Sequence, residues 1–389
     1  MRQPVDGRSI SPVRTCTPRP CRPRCSARST RDSAGFSSTG HLSVDAHHQA
    51  RAIAYASVTA AQRAGAQRAT RRHAASLGIA ALHECGGPAI AGEDDFTGLL
   101  RLAATEPGPL VTGYWGELRA ARKAVELGAH GAGGDLFADG ALGSHTAARA
   151  RVAVCRQRNK KRTRLSVRCG DPRPRTRRCV AAGVPAGFHA IGEAAVDTVL
   201  AGFHAATGQV GAAVIRAGRH RIEHAEMMSP AAIRLTAELG LTASVQPAFD
   251  AAWGGPDGMY AERLGAERAA TLNPFAGLHS AGVRLVFGSD SPVTPIDPWA
   301  GVRAAAAHRT SEHRLDWRTA LDAHTRTGWE CVGEPGGVLA VAPAHLAMFE
   351  TDDDPRTLVE FAAKAPTCLR TLVHGAEIFV REGQVDPLP

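Results

Sequence analysis

The stretch PAGFHAIGEAAVDTVLAGFHAATG (185–208) decides the fold, because it couples a short apolar run to a segment of helical composition. PAGFHAI (185–191) has the length of a buried strand, and EAAVDTVLAGFHAATG (193–208) follows it as an Ala-rich helix. Outward from it the same kind of run recurs six times: GIAALHEC (78–85), PLVTGYW (109–115), GDLFADG (134–140), HRIEHAE (220–226), LTASVQP (241–247) and VRLVFGSD (283–290). Segments such as GELRAARKAVELGAH (116–130) and SPAAIRLTAELG (229–240) lie between them, and TAAQRAGAQRATRRHAASLG (59–78) precedes the first, ending on a glycine as a helix C-terminus does. Strand, helix, strand alternation implies a parallel sheet.

Several runs end in a polar or ionisable residue: His83 and Glu84, Asp135 and Asp139, His189, Glu223 and His224, Gln246, Asp290. In a barrel of eight βα units the carboxyl ends of the strands form one face, so these residues converge in space. An open doubly wound sheet would show a glycine-rich phosphate turn after its first strand, and no G-x-G-x-x-G stands there. Seven countable strands are one short of a barrel. His189, His224 and Asp290 are the candidate centre of a metal-dependent hydrolytic site: two neutral imidazoles and a carboxylate are a common ligand set for zinc or a similar divalent ion. Such an ion lowers the pKa of its water from about 15.7 towards 7 and polarises a scissile carbonyl. The carboxylate can take the proton of that water.

The motifs FADGALGSHTA (137–147), GFHAIGEAAVD (187–197), RIEHAE (221–226), SVQPAF (244–249) and FGSDSPV (287–293), in that order, resemble the strand-end motifs of the amidohydrolase superfamily, specifically amidohydrolase family 3. ALDAHTRTGWECVGEPGGVLAVAPAHLAMFE (320–350) is similar to that family's closing helix and the return to its small β-domain. The resemblance covers roughly residues 52–150 and 179–385. It implies a distorted (β/α)8 barrel that hydrolyses C–N bonds of amides or related small molecules with one or two divalent ions, zinc by preference. It implies His189 and His224 as metal ligands, Asp290 as ligand and general base, Asp135 as a further ligand where the family more often has Lys, and His145 facing the substrate.

The departures carry equal weight. The family's first strand ends in an H-x-H pair, and no H-x-H occurs in the 389 residues, since the adjacent His47 and His48 would point to opposite faces of a strand. The expected fold is therefore an incomplete (β/α)8 TIM-type barrel lacking strand 1, with LAMFE (346–350) and RTLVHGAEIFV (370–380) as remnants of the small C-terminal β-domain. The expected division is an Arg/Pro-rich segment over 1–51, the hydrolase barrel over 52–331 with a basic non-family segment at 151–178, and the β-strands over 332–389.

The net charge of +9 would suggest a polyanionic partner if it were spread evenly, but it is not. Residues 1–31 carry eight arginines against Asp6, and residues 151–178 carry twelve Lys and Arg against Asp171, which leaves −9 for the remaining chain. The 151–178 block lacks helical or alternating periodicity, and out-of-frame reading of a GC-rich gene over it and over residues 1 to about 40 would produce such Arg- and Pro-rich sequence. A nucleic-acid-binding insertion is the rival reading, against which stands the absence of any aromatic residue in 151–178 to stack on a base. A catalytically inactive remnant of the family is the other alternative. Nine cysteines, an odd number at spacings that fit no zinc ribbon, speak for a reducing cytoplasm over a disulfide framework. Charges interrupt every long apolar run, as Glu193 and Asp197 do, so neither a transmembrane helix nor a membrane partner is expected. Homo-oligomerisation is left open by the sequence.

Overall fold

The computed structural model describes residues 44–88, 90, 92–148, 179–336, 344–351 and 365–383. The expectations for 1–43 and 149–178 lie outside these residues. Within them, β1 (Ala81–Gly86), β2 (Leu110–Trp115) and β3 (Gly131–Ala132) form one parallel sheet. β4 (Gly187–Ala190), β5 (Arg221–His224), β6 (Thr242–Val245) and β7 (Arg284–Phe287) form a second, also parallel and in chain order. Single parallel bridges, Ala132 to Ala186 and Phe137 to His189, carry the pairing from the first sheet to the second. Seven strands thus succeed one another in the described residues, as the run count predicts.

The strand expected at GDLFADG (134–140) lies earlier in the chain. Gly131–Ala132 is the strand, and 134–140 contributes only the bridge at Phe137. The reason is steric: Gly133 and Gly134 have φ of 118° and 76°, which turns the chain out of the sheet. At Gly133 a Cβ would also lie 1.9 Å from the Gly187 carbonyl oxygen, so only glycine lets the two sheets approach here.

Register sorts the side chains by face, since paired residues of parallel neighbours point the same way. Gly187, Arg221 and Thr242 align, as do His189, Glu223 and Ser244. This inner face is polar. Arg221 is buried, ion-paired with Glu223 at 2.5 Å, and donates to Ser244 Oγ at 2.7 Å and to His83 Nδ1 at 3.2 Å, while its guanidinium lies 4.5 Å from the Tyr114 ring centroid. Because His83 and Tyr114 belong to β1 and β2, these contacts cross the interior between the two sheets. The opposite face carries Phe188, Ala190, Ile222, Ala243, Val245, Leu285 and Phe287, all in one hydrophobic core with the covering helices.

Those helices have legible causes. Helix Glu193–Val210 buries Val196, Val199, Leu200, Phe203 and Ala206, an apolar stripe at helical spacing. Helix Ala60–Ser76 starts in a capping box between Thr59 and Gln62, and Gly78 (φ 81°) follows its end. The C-terminal strands β8 (Leu346–Glu350), β9 (Thr367–Val373) and β10 (Ala376–Val380) form a separate antiparallel sheet in the order β10-β9-β8. Thr371 Oγ1 donates to the Ala75 carbonyl at 2.7 Å, which fixes that sheet to the end of helix Ala60–Ser76. Among the described residues no helix is long and apolar enough to cross a membrane.

Candidate active site

His189 stands on the inner face at the end of β4, beside Phe137 and two residues along the chain from Gly187. Its Nε2 lies 3.2 Å from the Gly140 carbonyl oxygen, an acceptor, so Nε2 carries the proton of the neutral ring. Nδ1 is buried and has no hydrogen-bond partner, with Asp135 Oδ1 at 3.6 Å, within ion-pair reach but beyond a hydrogen bond. Burial works to lower the pKa of this imidazole, but Asp135, the Gly140 carbonyl and Asp139 together outweigh it, and the net direction is upward.

His224 reaches the same place by a different route. Alternation along β5 would put it on the outer face with Ile222, but its φ is 72° and that of Ala225 is 47°. Left-handed backbone at two consecutive residues other than glycine is uncommon, and each costs of the order of 1–2 kcal/mol. The turned imidazole meets His189 edge-to-face with ring centroids 4.4 Å apart. Its Nδ1 lies 2.8 Å from Gln246 Oε1, which can only accept, so Nδ1–H donates and Nε2 is the bare nitrogen. Burial first, then His189, hold His224 well below the usual histidine range, as the neutral ring.

Asp290, just beyond β7, also has a left-handed φ of 51°. Its side chain opens to solvent at the mouth, while partial burial and then the nearby Asp135 push its carboxyl up to about 7. His189 acts in the opposite direction on it. Asp135 is half-buried between these groups. His145 (φ 58°) is exposed on the loop after Asp139, next to Leu142, Arg263 and Leu264, and among the described residues no hydrogen bond or ion pair joins it to the histidine pair. The structure therefore brings His189, His224 and Asp135 together, sets Asp290 near enough to feel Asp135 and His189 electrostatically, and leaves His145 apart beside Leu142, Arg263 and Leu264.

Sequence reading singled out Asp139 and Gln246 as strand-end polar residues without giving them roles. Asp139 is buried, and its Oδ1 accepts from Ile191 N (3.0 Å) while Oδ2 accepts from Ala148 N and Gly192 N (both 2.8 Å). Those bonds clamp the loop before residue 149 onto the start of helix Glu193–Val210. Gln246 orients His224. Glu226, two residues after His224, is buried beside Tyr260, and burial pushes its carboxyl up to about 7. No sequence signal distinguished it from an ordinary surface glutamate.

The chemistry of the donors fits a divalent ion. His189 Nδ1 is an orphaned buried nitrogen, His224 Nε2 is bare, Asp135 brings an oxygen within 3.6 Å of His189, and Asp290 lies within their electrostatic reach. Among the described residues, however, no group of three or more His, Cys, Asp or Glu side chains is drawn together as a ready metal cage.

The model of the amidohydrolase family matches residues 17–379, beginning earlier than the resemblance read from 52 and spanning 151–178. The putative amidohydrolase YtcJ of Bacillus subtilis is 29% identical over 195 residues, 49% of this chain and 33% of that protein. Protein LONG AFTER FAR-RED 3 of Arabidopsis thaliana is 32% identical over 173 residues, 43% of this chain and 28% of that protein. The chain thus matches about a third of the length of these curated relatives. Among solved structures, an uncharacterized metal-dependent hydrolase from Pyrococcus furiosus superposes with a TM-score of 0.60 at 24% identity, over 77% of this chain and 62% of the other. One from Pyrococcus horikoshii gives 0.62 at 22% identity, over 85% and 68%. These two likenesses establish the shared fold.

Proposed function

The chain belongs to the amidohydrolase family, and from that premise we propose that it is a metal-dependent hydrolase that cleaves an amide-type C–N bond of a small molecule. The observation that carries this reading is the pair His189 and His224, ring centroids 4.4 Å apart, each with one ring nitrogen fixed by a hydrogen bond and the other left bare, that of His189 facing Asp135 at 3.6 Å. His189, His224, Asp290 and Asp135 would hold the metal, zinc by preference. When bound, the metal supplies an acidified water and an electrophile for the carbonyl.

The chain's own groups do the rest. Gln246 Oε1 holds His224 in the Nδ1–H tautomer, and Gln246 Nε2 is itself aimed at the Ser244 carbonyl at 3.4 Å, so the ligand ring is oriented by a partner that is oriented in turn. Asp290, a carboxylate beyond β7, would take a proton from water and return it to a leaving amine. Asp139 holds the Gly140 to Ala148 loop, which carries the carbonyl that orients His189 and places His145 at the rim to meet the substrate. The described cysteines, Cys85, Cys179, Cys331 and Cys368, are free thiols, which supports a reducing, cytoplasmic setting.

A second reading, a barrel that keeps the scaffold but binds no metal well, is favoured by the absence of a closed cage of donors among the described residues. Zinc titration separates the two. Stoichiometric zinc that is lost in His189→Ala, with zinc-dependent release of amine or ammonia from simple amides, supports the hydrolase. Substoichiometric zinc unaffected by His189→Ala refutes it.

A further inference from the structure

The histidine pair is flanked on both sides by aromatic rings that the hydrolytic chemistry does not use. Phe137 and His189 are partners in a parallel bridge, so their side chains leave the same face, and the ring centroids lie 4.6 Å apart. Phe137 is nevertheless 38% exposed, an unusual position for phenylalanine on the inner face of a parallel sheet. Asp135, two residues earlier, faces His189 Nδ1 at 3.6 Å. A small molecule held at His189 would thus lie within reach of the Phe137 ring. On the other side, Phe249 stacks on His224 with an interplanar angle of 14° and centroids 5.9 Å apart, and Trp253 packs on Phe249 at 4.6 Å. Phe249 is buried in a small apolar cluster with Leu142, Ile191, Met227, Tyr260 and Leu272.

We propose that Phe137 is a specificity-determining residue whose exposed ring receives a flat apolar group of the substrate, so that the site favours aryl-substituted amides over methyl amides. An exposed phenylalanine lowers its free energy by covering that ring with apolar surface, and an aryl group adds a ring–ring contact that a methyl group cannot. Phe249 and Trp253 fix the far wall by packing behind His224. The inference rests on the hydrolase reading for the identity of the ligand as an amide, and on geometry alone for its aryl group.

The test uses the full chain with 2-phenylacetamide and acetamide as probes, binding measured by ligand-observed NMR and ammonia release measured in parallel with zinc present. Phenylacetamide is expected to bind at least about tenfold more tightly than acetamide, with that ratio falling about fivefold in Phe137→Ala and less in Phe137→Leu. Circular dichroism melts of both variants report whether they remain folded, and Phe137→Leu keeps the comparison available if the alanine variant unfolds. Equal binding of the two amides, binding of neither, or a ratio unmoved by either folded variant overturns the proposal. Absence of ammonia release with the aryl preference intact refutes the hydrolase reading and leaves the aryl site standing, whereas release from both amides without preference does the reverse.

Discussion

Replacing Asp139 tests whether the mouth is built around one buried carboxylate. The residue is 3% exposed, and its two oxygens accept three backbone N–H groups from Ala148, Ile191 and Gly192. In Asp139→Ala all three donors lose their partner, those of Ile191 and Gly192 buried and that of Ala148 part-buried. Each unsatisfied buried donor costs about 1–3 kcal/mol. Water entering the vacated space can recover part of that, so a loss of at least about 3 kcal/mol is expected, a large share of the 5–15 kcal/mol typical of a folded domain. Asp139→Asn keeps one accepting oxygen but turns an NH2 towards at least one N–H, and should cost about 2 kcal/mol. Urea unfolding followed by circular dichroism measures both. The reasoning fails if Asp139→Ala lies within about 1 kcal/mol of the parent, because two buried donors and a part-buried one cannot be orphaned so cheaply.

Other expectations follow from single contacts. His220 is 1% exposed, accepts the Ala186 N–H at Nδ1 (2.9 Å), and burial lowers it to about 4. Its folded pKa lies below the unfolded value of about 6.5, so the unfolded chain binds the extra proton, and about 3 kcal/mol of stability present at pH 7 is lost as pH falls from about 6.5 to about 4. His220→Asn should flatten that part of the curve of unfolding midpoint against pH, and an unchanged slope would count against the assignment. Gln246→Leu removes the acceptor that fixes His224, and zinc affinity measured against a chromophoric chelator should fall about 10- to 100-fold. Gly133→Ala should yield little folded protein on expression, since its Cβ would overlap the Gly187 carbonyl and its φ of 118° suits glycine alone.

The strands were legible because each is a short apolar run bounded by turn or helix signals: six of the seven runs contain the strand the structure shows, from GIAALHEC to VRLVFGSD. The exception, GDLFADG, misleads because its apolar residues are displaced from the strand by two glycines whose dihedral angles, not their composition, take the chain out of the sheet. His189 and its neighbour Asp135 were visible as strand-end residues, and the structure joins them. Glu226 and Phe137 were not, because a buried glutamate and a half-exposed phenylalanine look like ordinary surface and core residues until their surroundings are known.

The sequence by itself determined the alternation of strand and helix, hence parallel sheets, and the chemical types available at the strand ends, because both depend on local periodicity and on where each run stops. Only the tertiary structure decided which of those residues meet. Alternation places His224 on the outer face with Ile222, and the left-handed backbone at His224 and Ala225 turns it to His189 instead. That conformation is locally unfavourable, so no local preference could announce it. It is held by contacts made across strands, the hydrogen bond to Gln246 at the end of β6 and the stacking on Phe249 beyond it.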